Sequence, residues 1–304
     1  MAAGERVTEG FVPFAGARTW YRSVAAEREE DRLPLLCLHG GPGANWLHLV
    51  PYEDLADERR VVFYDQLGAG NSPVTEPHDP AMWTPELYVQ EVDAVCGALG
   101  LERVHILGHS WGGMLAMQYA IGQPEGLASL VVESSPANVP AWIAEVQRLR
   151  SELPPEVEAT LRRHEEAGTT DDPEYEEAVM VFYRRHLCRT DPWPDWLVRC
   201  FETLEANPEV YHSMNGPSEF HVIGTIKDWD ISDRLGEIRL PTLILSGRYD
   251  EVTPATVEVV HRGIPGSEWV LLEESSHMAQ AEEPERTLAV IREFLARVEG
   301  DLPS

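Results

Sequence analysis

The sequence lacks any long apolar run. No stretch of its 304 residues approaches the roughly 18 continuous apolar residues that a membrane span requires. Its first ten residues, MAAGERVTEG, also lack the basic segment followed by an apolar one that marks a secretory signal. These two absences predict a protein with no membrane segment and a cytoplasmic location.

Basic residues are scarce as well. Lysine and arginine number 24 against 52 aspartates and glutamates, which gives a formal net charge of -28. A surface of that sign repels phosphate backbones and anionic lipids, so the composition argues against nucleic-acid and membrane partners. It is compatible with neutral or cationic small substrates, although solubility alone also explains an acidic surface.

Cysteine is the third scarce residue, with four in the chain. Cys37 lies in an apolar strand-like run and Cys96 on the apolar face of a predicted helix, which favours core packing. The spacing of Cys188 and Cys200 matches neither a metal knuckle nor a Cys-x-x-Cys pair, and a disulfide is not expected in the cytosol. The four thiols are therefore interpreted as structural, and no metal site is predicted.

Short apolar, β-branched runs alternate with helical stretches along the chain, a pattern typical of a parallel sheet covered by helices. The runs are LLCLHG (35–40), RVVFYD (60–65), RVHILG (103–108), LASLVVES (127–134), PTLILSG (241–247) and SEWVLLEE (267–274). One helix is predicted to follow Thr84 as its N-cap and to end at Gly100. The expected fold class is therefore α/β.

The alternation of strands breaks between about residues 137 and 236. This stretch is rich in glutamate, arginine, proline and tryptophan, and apolar residues such as Tyr175 and Val179 recur there at helical spacing. We therefore expect residues 1–136 and 237–304 to form the core. Residues 137–236 are expected to form a helical cap over the carboxyl ends of the strands, where open α/β sheets bind ligands.

The strongest functional signal is Gly108-His109-Ser110-Trp111-Gly112. It has the Gly-x-Ser-x-Gly form, follows the strand-like run RVHIL and precedes the helix-compatible run MLAMQYAIG. Strand, sharp turn and helix are the context in which this motif forms the nucleophile elbow of α/β-hydrolases. The sequence therefore predicts that fold, a mostly parallel sheet with flanking helices and an inserted helical cap, and Ser110 as the nucleophile.

A serine needs a base to attack, and in this fold an acid and then a histidine follow it along the chain. Asp250 ends PTLILSGRYD just past a strand-like run, and His277 follows the next run and precedes the last predicted helix. The rival acids either precede that strand or adjoin Asp250: they are Asp228, Asp230, Asp233 and Glu251. We predict His277 as the general base and Asp250 as the acid that orients it.

The tetrahedral intermediate of acyl transfer needs hydrogen-bond donors for its oxyanion. One predicted donor is the backbone N–H of Trp111, the residue after the nucleophile. The second should come from a loop after an early strand, and HGGPG at 39–43 has that position. Gly41 is predicted as this donor because glycine lets the backbone approach the substrate closely.

Six motifs resemble those of the proline iminopeptidase family of serine peptidases, nearest the branch of the tricorn-interacting aminopeptidases and amino-acid amidases. They are HGGPG (39–43), YDQLGAGNSP (64–73), GHSWGG (108–113), MNGPSEF (214–220), GTIKDWD (224–230) and GRYDEVTP (247–254). In that family, acids at the boundary between cap and core hold the free α-amino group of the substrate. By motif matching, Glu219 and Glu251 correspond to those acids.

The resemblance implies a serine aminopeptidase that acts through an acyl-enzyme and needs no metal or organic cofactor. It would release an N-terminal residue, proline by the family's name, from a small molecule or short peptide with a free amine. An L-amino-acid amide or ester hydrolase, a general carboxylesterase and a non-catalytic binding protein on the same fold stay open as alternatives. A monomer is compatible with the sequence.

Overall fold

The computed structural model describes residues 6–26, 32–75 and 77–301. Within them, eight strands form one sheet in the order β1-β2-β4-β3-β5-β6-β7-β8. The strands are β1 (Val7–Phe14), β2 (Ala17–Val24), β3 (Leu35–Leu38), β4 (Val61–Tyr64), β5 (Val104–His109), β6 (Leu127–Glu133), β7 (Thr242–Gly247) and β8 (Glu268–Leu272). Strand β2 pairs antiparallel with β1 and β4, and every pairing from β4 to β8 is parallel.

Each of the six apolar runs contains a strand, β3 to β8, as the sequence predicts. The hairpin of β1 and β2 was not predicted. It lies at one edge of the sheet, and β1 is mostly exposed or half-buried, with charged residues such as Glu9 in its sequence. An edge hairpin lacks the continuous apolar run of a strand that is buried on both faces, which is why no such signal marks it.

The central strands are covered on both faces. Leu36 and Ile106 belong to one core cluster, whereas Cys37 and Leu107 belong to the cluster on the opposite face. This alternation follows from the pleat of a strand, because successive side chains point to opposite sides. Strand β5 is buried along its whole length between β3 and β6, so the turn after it lies near the middle of the sheet.

Ten α-helices are found in the described residues. They are α1 (Pro85–Leu99), α2 (Trp111–Ile121), α3 (Val139–Arg150), α4 (Pro155–Ala167), α5 (Pro173–His186), α6 (Asp195–Ala206), α7 (Glu209–Met214), α8 (Pro254–Gly263), α9 (Ala279–Glu282) and α10 (Pro284–Asp301), with 3-10 segments at Trp46–Asp57, Pro80–Met82 and Ser232–Glu237. Helix α1 has the predicted ends: the Thr84 side chain accepts from the N–H of Leu87, and Gly100 is left-handed with φ of 65°. No helix in this part of the chain combines the length and apolar character needed to cross a membrane.

Helices α3 to α7 lie between β6 and β7, in the stretch where the strand alternation breaks. The end of α5 contacts the loops after β7 and β8: the carbonyl of His186 accepts from the N–H of Glu251 at 3.3 Å and of His277 at 3.2 Å. The helical segment is therefore tied directly to the loops that carry the predicted acid and base. The four cysteines are free thiols, of which Cys96 alone is not fully buried.

Candidate active site

Ser110 lies in a strained turn between β5 and α2, with φ of 56° and ψ of -124°. A residue with a side chain rarely adopts positive φ, and such conformations cluster at functional sites. The surrounding backbone holds this one in place. The N–H of Ser110 donates to the carbonyl of Glu133 at 2.9 Å, and the hydroxyl of Ser135 donates to the Ser110 carbonyl at 2.8 Å.

The glycines of the motif are required by close backbone contacts. A Cβ on Gly108 would lie 2.2 Å from the carbonyl oxygen of Gly112. A Cβ on Gly112 would lie 2.0 Å from the carbonyl oxygen of Leu38. Both distances are far below van der Waals contact. The Gly-x-Ser-x-Gly spacing therefore lets α2 approach β5 and β3 closely enough to place Ser110 above the sheet.

Asp250 and His277 lie on the loops that follow β7 and β8. Nδ1 of His277 donates to Oδ1 of Asp250 at 2.8 Å, and the N–H of Val252 donates to the same oxygen at 2.8 Å. Because Nδ1 carries a proton, Nε2 is the nitrogen that can accept one. His277 and Ser110 line the same cavity, so the three residues predicted as nucleophile, base and acid are brought together.

The charge around His277 is strongly negative. Burial lowers the pKa of its imidazole, but the carboxylates of Asp250, Glu251 and Glu219 outweigh burial and raise the pKa of His277 to about 9. Nε2 of His277 lies 3.9 Å from Oε1 of Glu251. The basicity of His277 therefore depends on the charge of the two glutamates as well as on Asp250.

Two imidazoles hold the backbone of Gly40, next to the predicted oxyanion donor Gly41. Nδ1 of His39 donates to the Gly40 carbonyl at 2.9 Å, and Nε2 of His48 accepts from the Gly40 N–H at 3.2 Å. The Gly40 carbonyl and the Gly41 N–H belong to one peptide group and point in opposite directions. The hydrogen bond from His39 to the Gly40 carbonyl therefore turns the Gly41 N–H away from His39. Gly41 itself is one of the residues that line the cavity.

Both imidazoles are neutral in this arrangement. Burial lowers the pKa of His39 to about 4 and that of His48 to about 3. Nε2 of His39 accepts from the N–H of Gln66 at 2.8 Å, which leaves the proton on Nδ1 for the Gly40 carbonyl. The tautomer of His39 is thus set by its two backbone partners.

Gln66 joins this loop to the turn that contains Ser110. Its side-chain nitrogen Nε2 donates to the carbonyl of His39 at 2.8 Å, and its side-chain oxygen Oε1 accepts from Nε1 of Trp111 at 2.8 Å. Trp111 is the first residue of α2, so its backbone N–H has no acceptor inside the helix. The buried side chain of Gln66 therefore links the loop that contains Gly41 to the side chain of Trp111.

Glu219 and Glu251 form an acidic pair beside His277. The Glu251 side chain is fully buried, and neither of its oxygens has a hydrogen-bond partner among the described residues. Oε1 of Glu219 accepts from the hydroxyl of Tyr211 at 2.6 Å. Burial, followed by the charge of Glu219, raises the pKa of Glu251 well above its ordinary value, and burial also raises the pKa of Glu219.

The cavity is lined by both polar and apolar groups. Its polar contributors include Ser110, His277, Glu219 and Gly41. Its apolar lining includes leucine, phenylalanine and methionine side chains: Leu187, Leu197, Phe201, Leu204 and Met278. Three of these, Leu197, Phe201 and Leu204, come from α6, so the helical segment between β6 and β7 supplies much of the apolar lining.

One group of possible metal ligands occurs in the described residues, away from this cavity. His164, Asp172 and Glu174 bring their ligand atoms within 4.8 Å of one another. Nη2 of Arg163 donates to Glu174 at 2.6 Å and lies 3.1 Å from Nε2 of His164. Because a guanidinium already supplies the positive charge there, the donor set does not fit a metal ion.

Sequence reasoning missed several buried polar residues around the site. Nε2 of His109 donates to the carbonyl of His277 at 2.9 Å. Glu133, at the end of β6, is fully buried, accepts from the hydroxyl of Tyr52, and has a pKa raised to about 7, chiefly by burial. The only signal for Glu133 was its position at the end of the run LASLVVES, where acids of such sites occur.

Comparison with known proteins gives nearly full-length matches. A family model described as alpha/beta hydrolase fold matches residues 34–284. A proline iminopeptidase of Heyndrickxia coagulans is 39% identical over 288 residues, which cover 95% of this chain and 98% of the relative. The solved proline iminopeptidase of Mycobacterium smegmatis is 42% identical with a TM-score of 0.89, covering 96% of this chain and 98% of that one. The structure of a protein named VinJ is also 42% identical, with a TM-score of 0.92 and coverage of 96% and 99%.

These matches confirm the α/β-hydrolase fold and the family that the six motifs indicate. The alignments span nearly the whole length of this chain and of each of these three relatives. The chain is a serine hydrolase, and it belongs to the proline iminopeptidase family.

Proposed function

We propose that this protein is a serine aminopeptidase that releases an N-terminal proline from short peptides. The observation that carries the proposal is the side chain of Glu251, a fully buried carboxylate without a hydrogen-bond partner among the described residues. A buried carboxylate needs compensating positive charge, and the imidazole of His277, 3.9 Å from Oε1 of Glu251, cannot supply it once His277 is neutral and able to act as the base. Glu219 lies close enough to raise the pKa of Glu251 further. The relatives named proline iminopeptidase support the same substrate.

In the proposed reaction, Glu219 and Glu251 hold the protonated α-amine and present the first carbonyl carbon to Ser110. His277 takes the serine proton as the hydroxyl attacks, and Asp250 holds the imidazole in orientation. The N–H groups of Gly41 and Trp111 bind the oxyanion. His277 then protonates the leaving amine, and water, activated by His277, hydrolyses the acyl-enzyme.

The lining of the cavity favours an apolar first residue such as proline. A protonated pyrrolidine nitrogen carries two N–H bonds, and the carboxylates of Glu219 and Glu251 offer acceptors for both. The apolar side chains of α6 that line the cavity, Phe201 and Leu204 among them, support packing of the pyrrolidine ring.

We also propose the division of the chain into a core, residues 1–136 and 237–304, and a cap, residues 137–236. The cap would close the cavity from above and supply Glu219. The contacts of α5 with the loops after β7 and β8, and the cavity lining from α6, support this division. A cytoplasmic location, expected from the sequence, stays a prediction.

The proposed function is tested with two matched pairs of substrates. The first pair is prolyl anilide and N-acetylprolyl anilide. The second is phenyl prolinate and phenyl cyclopentanecarboxylate, which share ring size but differ in the amine. We expect the free-amine member of each pair to have a kcat/KM at least about 100-fold higher than its partner. A substrate without a protonated amine leaves the carboxylates of Glu219 and Glu251 unpaired.

Equal rates within both pairs would contradict the proposal and identify a general carboxylesterase. Hydrolysis of prolinamide and the prolyl ester without cleavage of any prolyl peptide would instead identify an amino-acid amide or ester hydrolase. Ser110→Ala is the control in every assay, since it removes the nucleophile and should abolish turnover of all substrates.

A further inference from the structure

Arg150, the last residue of α3, is a buried cation outside the cavity. Its exposed fraction is 4%. Nε donates to Oε2 of Glu158 and Nη1 donates to Oε1 of Glu165, each at 2.8 Å. Both glutamates belong to α4, so the guanidinium joins α3 to α4. A buried charge needs such partners, because an isolated one is costly to remove from water.

The same guanidinium contacts the loop that carries Glu219. Its central carbon lies 5.0 Å from the ring centroid of Phe220, a cation–π contact. The carbonyl of Phe220 accepts from Nε2 of Gln147 at 2.9 Å, and its ring packs against Phe182 with centroids 5.0 Å apart. The residue after Glu219 is therefore held by side chains of α3 and α5.

The residue before Glu219 is tied to the same cluster. The hydroxyls of Tyr175 and Ser218 lie 3.1 Å apart, and the Tyr175 hydroxyl donates to Oε1 of Glu165 at 3.4 Å. This is the oxygen that Arg150 binds. Ser218, like Phe220, is only 1% exposed, so both neighbours of Glu219 are fixed within the cluster around Arg150.

From these contacts we propose that Arg150 is a positioning residue: it holds Ser218 and Phe220 and thereby directs the Glu219 carboxylate towards the amine of the substrate. Because amine binding by Glu219 is part of the proposed function, this role of Arg150 depends on it. Arg150 is not among the residues that line the cavity. Its removal should weaken amine recognition and leave the chemistry of Ser110 and His277 in place.

The first test is Arg150→Met, assayed with phenyl prolinate and phenyl cyclopentanecarboxylate. We expect KM for the prolyl ester to rise about tenfold with little change in kcat, and the amine-free ester to be unaffected. Arg148→Met is the matched control: Arg148 lies on the same helix, its side chain is 50% exposed, and among the described residues it forms ion pairs only with Glu145 and Glu152. Equal losses on both esters would show a merely structural role and overturn the proposal.

The second test is a double-mutant cycle with Glu219→Gln. If Arg150 acts through Glu219, Arg150→Met has no further effect on KM for the prolyl ester once Glu219 is changed. If the two substitutions instead raise KM independently, so that the rise in the double variant is the product of the two single rises, the role of Arg150 is overturned and amine binding by Glu219 stays intact. If Glu219→Gln alone leaves the discrimination between the two esters unchanged, amine binding by Glu219 fails, and the role of Arg150 fails with it.

A milder variant covers the case in which Arg150→Met does not fold. Tyr175→Phe removes one hydroxyl from the link between Ser218 and Glu165 and leaves the ring in place. We expect a smaller change in the same direction, about a threefold rise in KM for the prolyl ester alone. An unchanged KM would overturn the proposal.

Discussion

Nε2 of His277 lies 3.9 Å from Oε1 of Glu251. This proximity couples the proposed base, His277, to a carboxylate proposed to bind the substrate amine. Burial lowers the pKa of His277, but Asp250, Glu251 and Glu219 raise it to about 9 in the free protein. An ammonium bound between Glu219 and Glu251 offsets their charge and so lowers the pKa of His277. The substrate's own charge would therefore help to bring the base into its neutral, active form.

A pH profile tests this coupling. His277 must be neutral to accept the serine proton, so activity falls as pH drops through its pKa in the complex. We expect the acidic limb of kcat to lie at least about one pH unit lower for phenyl prolinate than for phenyl cyclopentanecarboxylate. Glu251→Gln removes a negative charge and should move the limb of the amine-free ester to lower pH. Coincident limbs for both esters in the unchanged protein would contradict the coupling.

The strain at Ser110, the proposed nucleophile, predicts a gain in stability when glycine replaces it. Its φ of 56° is easy for glycine and unfavourable for any residue with a Cβ. We expect Ser110→Ala and Ser110→Gly to be equally inactive, and the glycine variant to be more stable by about 1 kcal/mol. Urea unfolding of the two variants measures the difference.

Ser151 provides the control for that comparison. Its φ is -64°, so glycine there has no strain to relieve. Ser151→Gly should be less stable than Ser151→Ala, because glycine loses more backbone freedom on folding. The same order of stabilities at Ser110 would show that the turn after β5 is not strained.

The contact between His39 and Gly40 predicts a positioning role for His39 in oxyanion binding. Nδ1 of His39 holds the carbonyl of the peptide group whose N–H belongs to Gly41. We expect His39→Leu to lower kcat at least about tenfold, approaching the loss of an oxyanion donor, with KM little changed. His39→Asn should retain most of the activity, because an asparagine amide can donate from the position of Nδ1. Equal activity of the two variants would contradict the role of this hydrogen bond.

How much the sequence could predict depends on how local each signal is. Ser110 and its glycines lie within five residues, and the strand and helix around them follow from apolar patterning, so this turn could be predicted from the sequence alone. Asp250 and His277 required the chain order known for the fold. Their positions after β7 and β8 agree with that order because parallel strands bring their following loops to one edge of the sheet.

Other features depended on contacts that no local pattern reports. Glu219 could be singled out only through a family resemblance, since nothing in its neighbourhood distinguishes it from the other acids of a very acidic chain. The bonds of Gln66 to His39 and Trp111 join residues 27 and 45 positions apart. The hairpin of β1 and β2 was missed because β1 is the edge strand of the sheet and neither strand has a continuous apolar run.

The buried Glu251 predicts a conflict between activity and stability. Burial, then the charge of Glu219, raises its pKa well above the ordinary 4.5. Because the pKa of Glu251 is higher in the folded than in the unfolded protein, protonation of this side chain favours the folded state. This contribution to the free energy of unfolding is fully present below pH 4.5 and is lost as pH rises towards the pKa of the folded state. Glu251→Gln should therefore become more stable than the unchanged protein above that pH, by about 1.4 kcal/mol for each pH unit until the folded pKa is reached.

Thermal or urea unfolding at pH 5 and pH 8 measures this difference, and phenyl prolinate hydrolysis measures its consequence for activity. From pH 5 to pH 8, we expect Glu251→Gln to gain stability relative to the unchanged protein. We also expect KM for the prolyl ester to rise, because the glutamine amide leaves the substrate ammonium with one carboxylate instead of two. Glu293→Gln, a change at an exposed position on α10, is the control and should show neither effect. If the stability difference between Glu251→Gln and the unchanged protein is the same at both pH values, then Glu251 has an ordinary pKa and is not the electrostatically strained group that the proposed amine site requires.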